Sequence, residues 1–289
     1  MKITLFGKAI QKTYYPIVQQ ILDILSHHAS FVYIYKPFYE AIKDELTLPD
    51  NICSSCNQGT EQDTDFIFTL GGDGTFLDAL NLVIPTGIPM LGINIGRLGF
   101  LSSVNIHTLE QSLIDIKNNN YSLEKRMLLH LEPQINGKNQ WALNDICIQR
   151  NGTSSMISIS VHINDEYLNT YWCDGLIIAT PTGSTAYSLG CGGPILMPDS
   201  EVIVLTPIAS HMLTVRPVVI PDNSCIRIQV KSRNANFVVS TDSTSFVVDE
   251  NTSLHISKEK FYINLVRLPN HTFSKTLREK LMWGLDKRN

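Results

Sequence analysis

Asp65-Phe-Ile-Phe-Thr-Leu-Gly-Gly-Asp-Gly-Thr75 runs from an apolar strand into a glycine turn, and a helix face follows at Phe76, Leu77, Leu80 and Val83. Strand, glycine turn and helix in that order form the repeating unit of a parallel α/β sheet. Outward from it, Ile3 to Phe6 and Phe31-Val-Tyr-Ile-Tyr35 read as earlier strands, and Pro89-Met-Leu-Gly-Ile93 as the next one. Tyr15, Val18, Ile21, Leu22 and Leu25 recur at helical spacing between the first two. Thr108-Leu-Glu-Gln111 has the form of a capping box opening a helix through Ile116, and Asn118-Asn-Asn120 ends that helix. Residues 1–120 are therefore expected to form an α/β domain with a Rossmann-like parallel sheet.

From Tyr121 the pattern changes. Turn signals at Asn136-Gly137, Asn151-Gly152 and Asn164-Asp165 separate short strands, and Ile157, Ile159, Val161 and Ile163 alternate with polar residues. Val202 to Leu205, Val218 to Ile220, Ile226 to Val230, Phe237 to Val239 and Leu254 to Ile256 continue the series. Residues 121–268 read as an all-β antiparallel sandwich. Phe273, Leu277 and Leu281 then mark a helix within residues 269–289. A single late helix has no sheet of its own to cover, so it is expected to pack back on the N-terminal domain.

A chain of 289 residues suits two domains of ordinary size. Its net charge of -4 gives no general field for nucleic acid or a membrane surface, so phosphate must be met by local donors or a metal ion. No apolar run approaches the ~20 residues of a spanning helix. Met1-Lys-Ile-Thr-Leu-Phe-Gly7 reads as a strand without a leader pattern. The six cysteines are scattered, with Cys147, Cys173 and Cys225 in strand-like runs, which points to a reducing cytoplasm. Cys53-Ser-Ser-Cys56 has metal or redox spacing, but no second ligand pair follows, and it reads as a free pair in the polar loop Asn51 to Asp65.

Glycines in Gly71-Gly-Asp-Gly-Thr75 let successive N–H groups face a polyphosphate, and the helix start adds partial positive charge. Asp73 is the anomaly, because bound phosphate repels a carboxylate. It is tolerable beside a metal ion or a hydroxyl whose proton it takes, the chemistry of phosphoryl transfer to an alcohol. Asn144-Asp145 lies within an apolar strand and needs hydrogen-bond partners, which vicinal ribose hydroxyls would supply; a plain β-bulge is the alternative reading. Asp174-Gly-Leu-Ile-Ile-Ala-Thr-Pro-Thr-Gly-Ser-Thr-Ala-Tyr-Ser-Leu-Gly190 carries the most information. It is a buried strand followed by hydroxyls at Ser184, Thr185 and Ser188 and a flat ring at Tyr187, with bare backbone at Gly190, Gly192 and Gly193. The two glycine-rich segments, about a hundred residues apart, suggest a site assembled between domains. Neither is a nucleophile elbow or a Walker loop. His211 reads as a hydrogen-bonded structural residue ahead of a general base.

From Gly71 to about Val248 these motifs, in this order and spacing, resemble the NAD kinase family. Gly-Gly-Asp-Gly alone is shared with diacylglycerol-type lipid kinases and phosphofructokinases, whereas Thr-Pro-Thr-Gly-Ser-Thr-Ala-Tyr-Ser is far more specific. The resemblance implies ATP- or polyphosphate-dependent phosphorylation of the adenosine 2′-hydroxyl of NAD, with a divalent metal such as Mg²⁺, in a homodimer or homotetramer. It implies Asp73 as proton acceptor and Gly71, Gly72, Gly74 and Thr75 around the donor phosphates. Asp73, Gly74, Asn144, Asp145, Asp174, Thr185, Ala186, Tyr187 and Ser188 would bind NAD, and Asp242 would be a late acidic position near ligand or subunit contact. Three positions depart from the family pattern. Asp145 replaces a frequent Glu, Trp172 stands where Lys or Arg is common, and Ser243-Thr244 follows Asp242 where Gly or Gln is frequent. A lipid kinase and a dinucleotide-sensing module remain the rival readings.

Overall fold

The structure, a computed structural model, describes residues 1–282 apart from 56–60, 62, 85, 97–98, 136, 138–139, 153–154, 243 and 270. The chain divides into two compact units, Met1–Lys125 with Ile263–Asn289, and Arg126–Tyr262.

The first unit contains β1 (Lys2–Gly7), α1 (Tyr15–His28), β2 (Phe31–Ile34), α2 (Lys36–Ile42), β3 (Ile52–Ser54), β4 (Phe66–Leu70), α3 (Asp73–Val83), β5 (Met90–Asn94), β6 (Val104–Asn105) and α4 (Ile106–Lys117). Its strands pair in parallel in the order β3-β2-β1-β4-β5. The free edge of β5 takes β6 beside Ile93 and Asn94, and Leu265 beside Met90. β4 and β5 are buried along their whole length, which is why both read as unbroken apolar runs. The chain steps outward from β1 to β3, then returns to the other side of β1 to form β4. That reversal is a topological switch point, where open α/β sheets bind ligands beyond the carboxyl ends of their strands.

Three elements exceed the sequence expectation. β3 pairs with β2 and holds Cys53, so this residue lies in an edge strand and the polar-loop reading fails there; Cys56 lies outside the described residues. α2 starts at Lys36-Pro37, a position where proline's missing N–H costs no helical bond. β6 adds a two-residue strand. The cap of α4 also shifts. Asn105 is the N-cap, accepting from His107 and Thr108 N–H, while Thr108 Oγ1 accepts from the Asn105 N–H. Thr108 is thus the inner partner of the box, and the helix begins at Ile106.

The second unit takes up the later part of β7 (Ser122–Glu132), followed by β8 (Trp141–Ala142), β9 (Asp145–Arg150), β10 (Ile157–Ile163), β11 (Glu166–Cys173), β12 (Gly175–Ala179), α5 (Tyr187–Gly190), β13 (Val202–Ile208), β14 (Val218–Pro221), β15 (Ile226–Lys231), β16 (Asn236–Thr241), β17 (Thr244–Asp249) and β18 (Leu254–Arg267), whose last residues belong to the first unit. One antiparallel sheet runs β14-β13-β12-β9-β16-β17. The other runs β11-β10-β15-β18, with β7 beside β18. Ile146, Leu176, Ile178 and Phe237 from the first meet Ile159, Val161, Ile228 and Ile256 from the second in one core, which makes the unit a sandwich. Asn164 and Asp165 both have positive φ, as the tight turn between β10 and β11 requires.

β12 is buried on both faces. Leu176 and Ile178 point into the sandwich, while Ile177 and Ala179 point outward under Cys191 and Leu196. The glycine-rich segment after β12 therefore folds back over its own sheet. The terminal helix α6 (Phe273–Leu281), capped by Thr272, packs within the first unit, with the Phe273 ring 6.1 Å from that of Phe100.

Candidate active site

In the first unit the chain leaves β4 at Leu70 and α3 begins at Asp73, inside the glycine turn and three residues before the first apolar residue of its face, Phe76. Gly71 has φ +152°, and a Cβ there would sit 2.3 Å from Thr75 Oγ1, so the position requires glycine. No side chain caps α3, and Cβ atoms at Gly72 and Gly74 would meet nothing within 4 Å. The helix start is thus open to an incoming anion. It borders a cleft of about 330 Å³ lined by residues including Lys8, Gln11, Tyr14, Gly72 and Thr75. That cleft lies at the carboxyl ends of β1 and β4, the switch point itself.

Asp73, in the first turn of α3, is half-buried and surrounded by donors. Its Oδ2 accepts from Phe100 N–H at 2.8 Å, and its Oδ1 from Leu101 and Ser102 N–H, both at 3.0 Å. Lys280 Nζ, from α6, lies 3.3 Å from Oδ2 and 4.4 Å from the centre of the Phe100 ring. A Cβ at Gly99 would fall 1.9 Å from Asp73 Oδ1, so this glycine is what admits the carboxylate. Neither Gly99 nor Lys280 was singled out by the sequence. A glycine soon after a buried strand was a usable signal for the first, and nothing local marks the second.

In the second unit, strand register gathers the other motifs at one end of the six-stranded sheet. Asp145 at the start of β9 pairs with Ala179 at the end of β12, and Ile146 pairs with Thr241 at the end of β16. Asn144 and Asp145 lie at the junction of β8 and β9, where an unbroken strand was expected. Thr180 Oγ1 donates to Leu143 O at 2.5 Å and Thr180 N–H to Asn144 O at 2.9 Å. A Cβ at Gly183 would lie 2.0 Å from Asn144 O, so the turn after β12 rests directly on the Asn144 backbone.

Asp145 is 8 % exposed, and among the described residues nothing donates a hydrogen bond to its carboxyl group. Burial, with the Asp242 charge in second place, pushes its pKa up to about 7. Asp242 is half-buried with φ +49°. Its carboxylate accepts from Leu143, Asn144 and Asp145 N–H at 2.8, 2.9 and 3.1 Å. Burial raises its pKa to about 6 against the lowering effect of those three bonds.

The hydroxyls after β12 divide. Ser184 Oγ donates to Pro181 O and accepts from Leu196 N–H, and Ser188 Oγ pairs with Thr206 Oγ1 at 2.8 Å. Both are buried and used within the fold. Thr185, whose Oγ1 donates to Thr182 O at 3.2 Å, and Ala186 are only half-buried, and the Tyr187 ring is 45 % exposed, its hydroxyl accepting from Gln149 Nε2. Asp174 stands at the opposite end of β12, about 17 Å of strand from Asp145. It is paired with Arg150, Nε to Oδ1 at 2.8 Å, a partner the sequence did not disclose. Trp172, on β11 between buried Tyr171 and Cys173, is 56 % exposed, which excludes a core position. It lines a cleft of about 600 Å³ with Met156, Ser158, Lys231 and Arg233. His211 is exposed, and its hydrogen bond is a backbone one, to Trp172 O.

An uncapped glycine turn at a switch point, with a carboxylate in the same helical turn, defines a phosphate-handling α/β protein. Comparison with known proteins gives the family. Residues 3–121 match the ATP-NAD kinase N-terminal domain and residues 143–268 the ATP-NAD kinase C-terminal domain. The chain is 43% identical over 295 residues to the NAD kinase of Flavobacterium psychrophilum and 42% identical over 293 residues to that of Bacteroides fragilis, covering 100% of both chains in each case. The crystal structure of yeast NADH kinase complexed with NADH superposes with a TM-score of 0.85 at 26% identity, covering 99% of this chain and 89% of that one. An NAD kinase from Archaeoglobus fulgidus in complex with ATP shares the fold, with a TM-score of 0.75 at 24% identity over 98% of this chain and 99% of that one. The chain belongs to the NAD kinase family.

Proposed function

We propose that the chain transfers the γ-phosphoryl group of ATP to the 2′-hydroxyl of the adenosine ribose of NAD, forming NADP. The observation that carries this reading is the open start of α3 at the switch point, with Asp73 in its first turn. Gly71, Gly72, Gly74 and Thr75 hold the donor phosphates through backbone N–H groups, and Lys8, ion-paired with Asp78, borders the same cleft. Asp73 accepts the hydroxyl proton. Two N–H groups, of Leu101 and Ser102, hold its Oδ1 and one, of Phe100, its Oδ2, so the proton goes to Oδ2, and Lys280 must move aside for the hydroxyl to reach it. Asn144 and Asp145 take ribose hydroxyls. Gly74, Asp174, Thr185, Ala186 and Tyr187 complete the NAD site, with the exposed Tyr187 ring as a flat face and buried Ser188, bonded to Thr206, supporting the turn beneath it.

Among the described residues no three His, Cys, Asp or Glu side chains converge as a preformed metal site. Mg²⁺ would be carried chiefly by the donor phosphates, with Asp73 the carboxylate in the turn beside them. Bound there, it would neutralise charge on the transferring group. The assembly is proposed as a homodimer or homotetramer, and the compartment as the cytoplasm; among the described residues no helix is long and apolar enough to cross a membrane.

A second assignment of the base has its own observation. Asp145, pushed up to about 7 and free of hydrogen-bond donors among the described residues, is tuned closer to working pH than an ordinary carboxylate. Incubation with NAD and MgATP, with diacylglycerol in a parallel arm, tests the reaction. NADP is the expected product, whereas lipid phosphorylation or NAD binding without turnover would replace this reading with a rival.

A further inference from the structure

Leu143, Asn144 and Asp145 present three consecutive N–H groups to one side chain, a concave backbone arrangement that binds anions. The anion here is the Asp242 carboxylate, reached across about a hundred residues of sequence. The Asp242 N–H returns a bond to Asp145 O at 3.2 Å, closing the contact in both directions. On the carbonyl side Thr180 holds Leu143 and Asn144. Every polar backbone group that sets the direction of Asn144 and Asp145 is therefore fixed from outside the segment. The positive φ of Asp242 is itself unusual, tolerated by Asp and Asn better than by other side chains.

Asp242 did not need to be an acid for this purpose alone, since any acceptor would bind N–H groups. Its charge has a further effect, because it lies beside the one carboxyl group in the segment. We propose that Asp242 is a positioning residue for the transfer reaction, aiming the Asn144 and Asp145 side chains at the acceptor ribose and setting the charge that Asp145 carries when it meets it. This rests on the reading that Asn144 and Asp145 meet the NAD ribose.

The titratable groups around Asp145 are Asp242 after β16, Cys147 on β9, and Tyr187 and Cys191 on the segment covering the sheet. Burial raises the pKa of Cys147, Tyr187 and Cys191, so all three stay neutral from pH 5 to 8. Only Asp242 changes charge in that range. With both carboxyls raised by burial, a negative Asp242 opposes ionisation of Asp145.

The test measures the Kd of NAD by titration calorimetry from pH 5 to 8.5 for wild type, Asp242→Asn and Asp145→Asn, with a thermal melt of each. Wild-type affinity should weaken as pH falls through about 7, where Asp145 takes up a proton. Asp145→Asn should abolish that dependence. Asp242→Asn keeps the tolerated backbone conformation, loses one acceptor and loses the charge. It should weaken NAD binding at pH 8 by about three- to tenfold and move the pH midpoint downward by roughly half to one unit. If Asp145→Asn leaves the pH dependence intact, the placement of NAD at Asn144 and Asp145 fails. If Asp145→Asn removes it while Asp242→Asn keeps the wild-type midpoint, even with a lower melting temperature, Asp242 is only a fold element and the proposal is overturned. Should Asp242→Asn not fold, Asp242→Ser, neutral and still a hydrogen-bond acceptor, takes its place in the same titration, and a wild-type pH midpoint in that variant overturns the proposal.

Discussion

Asp73 stands in the first turn of α3 with three backbone N–H groups and the Lys280 ammonium donating to it. Asp145 opens β9, buried, with no donor among the described residues and a second carboxyl group beside it. Both follow apolar runs, and both come from motifs that the sequence marks as polar where a core would not want polarity. Their surroundings differ in sign. The first unit encloses its carboxylate in positive ends of dipoles and a cation. The second places its carboxylate where charge is resisted. One protein thus holds two candidate proton acceptors, one organised by donors and one tuned by burial and a neighbouring carboxyl group.

The largest effect expected from this contrast is on turnover. Asp73→Asn keeps the shape and loses the basicity, so kcat should fall by about 10²–10⁴-fold with the KM for NAD little changed. Steady-state kinetics at saturating MgATP checks it. If Asp73→Asn turns over near the wild-type rate while Asp145→Asn loses that factor, the base assignment passes to Asp145.

Next in size is a stability effect of opposite sign to the usual ion-pair case. The Asp145 pKa is raised in the fold, so its neutral form is the one the fold favours. That stability is fully present below pH ~4 and is lost as pH rises through about 7. Asp145→Asn, neutral at all pH, should therefore be more stable than wild type at pH 8, by about 2–4 kcal/mol, with the difference vanishing near pH 4. Urea melts at the two pH values measure it. A variant that is less stable than wild type at pH 8 would mean that Asp145 has ionic partners in the fold.

Sequence alone carried the α/β-then-β order well, because strands buried on both faces leave unbroken apolar runs and half-buried ones alternate. Gly71 to Thr75 and the segment after Asp174 were legible for a similar reason, since small residues and hydroxyls have no place in a core. What a hydroxyl faces was not legible. Ser184, Thr185 and Ser188 look alike in sequence, and all three hydroxyls bond within the fold, yet Ser184 and Ser188 are fully buried while Thr185, donating to Thr182 O, is half-buried. Contacts across long separations were equally hidden, as with Lys280 at Asp73, Asp242 at Leu143 to Asp145, and Arg150 at Asp174.

Asn144→Ala sharpens the contrast on the binding side. Losing one hydrogen-bonding side chain should raise the KM for NAD by about tenfold, from roughly 1.5 kcal/mol, with a smaller change in kcat. An unchanged KM would remove Asn144 from the ligand. The smallest effect concerns Trp172, whose exposed ring shares a cleft with Lys231 and Arg233. Trp172→Lys should leave kcat and melting temperature near wild type, because the position is outside the core. If NAD reaches this cleft, its KM should become about two- to threefold more sensitive to salt, as added charge attracts phosphate at low ionic strength. Equal KM values at two salt concentrations would place Trp172 away from the ligand.

β18 ends by laying Leu265 against Met90 and setting Val266 and Leu268 into the core of a unit whose other strands come from the first 125 residues. On the ribosome this order has a cost in time. At ~5–20 residues per second, Leu265 emerges roughly ten seconds or more after the sheet it completes. Throughout that interval β5 carries an unpaired edge at Met90 and a gap in the layer beneath, while residues 126–262 have everything they need to close first. The nascent chain therefore has reason to finish its later unit before its earlier one. The edge of β5 is where a chaperone, or a mispaired strand, would find it in the meantime.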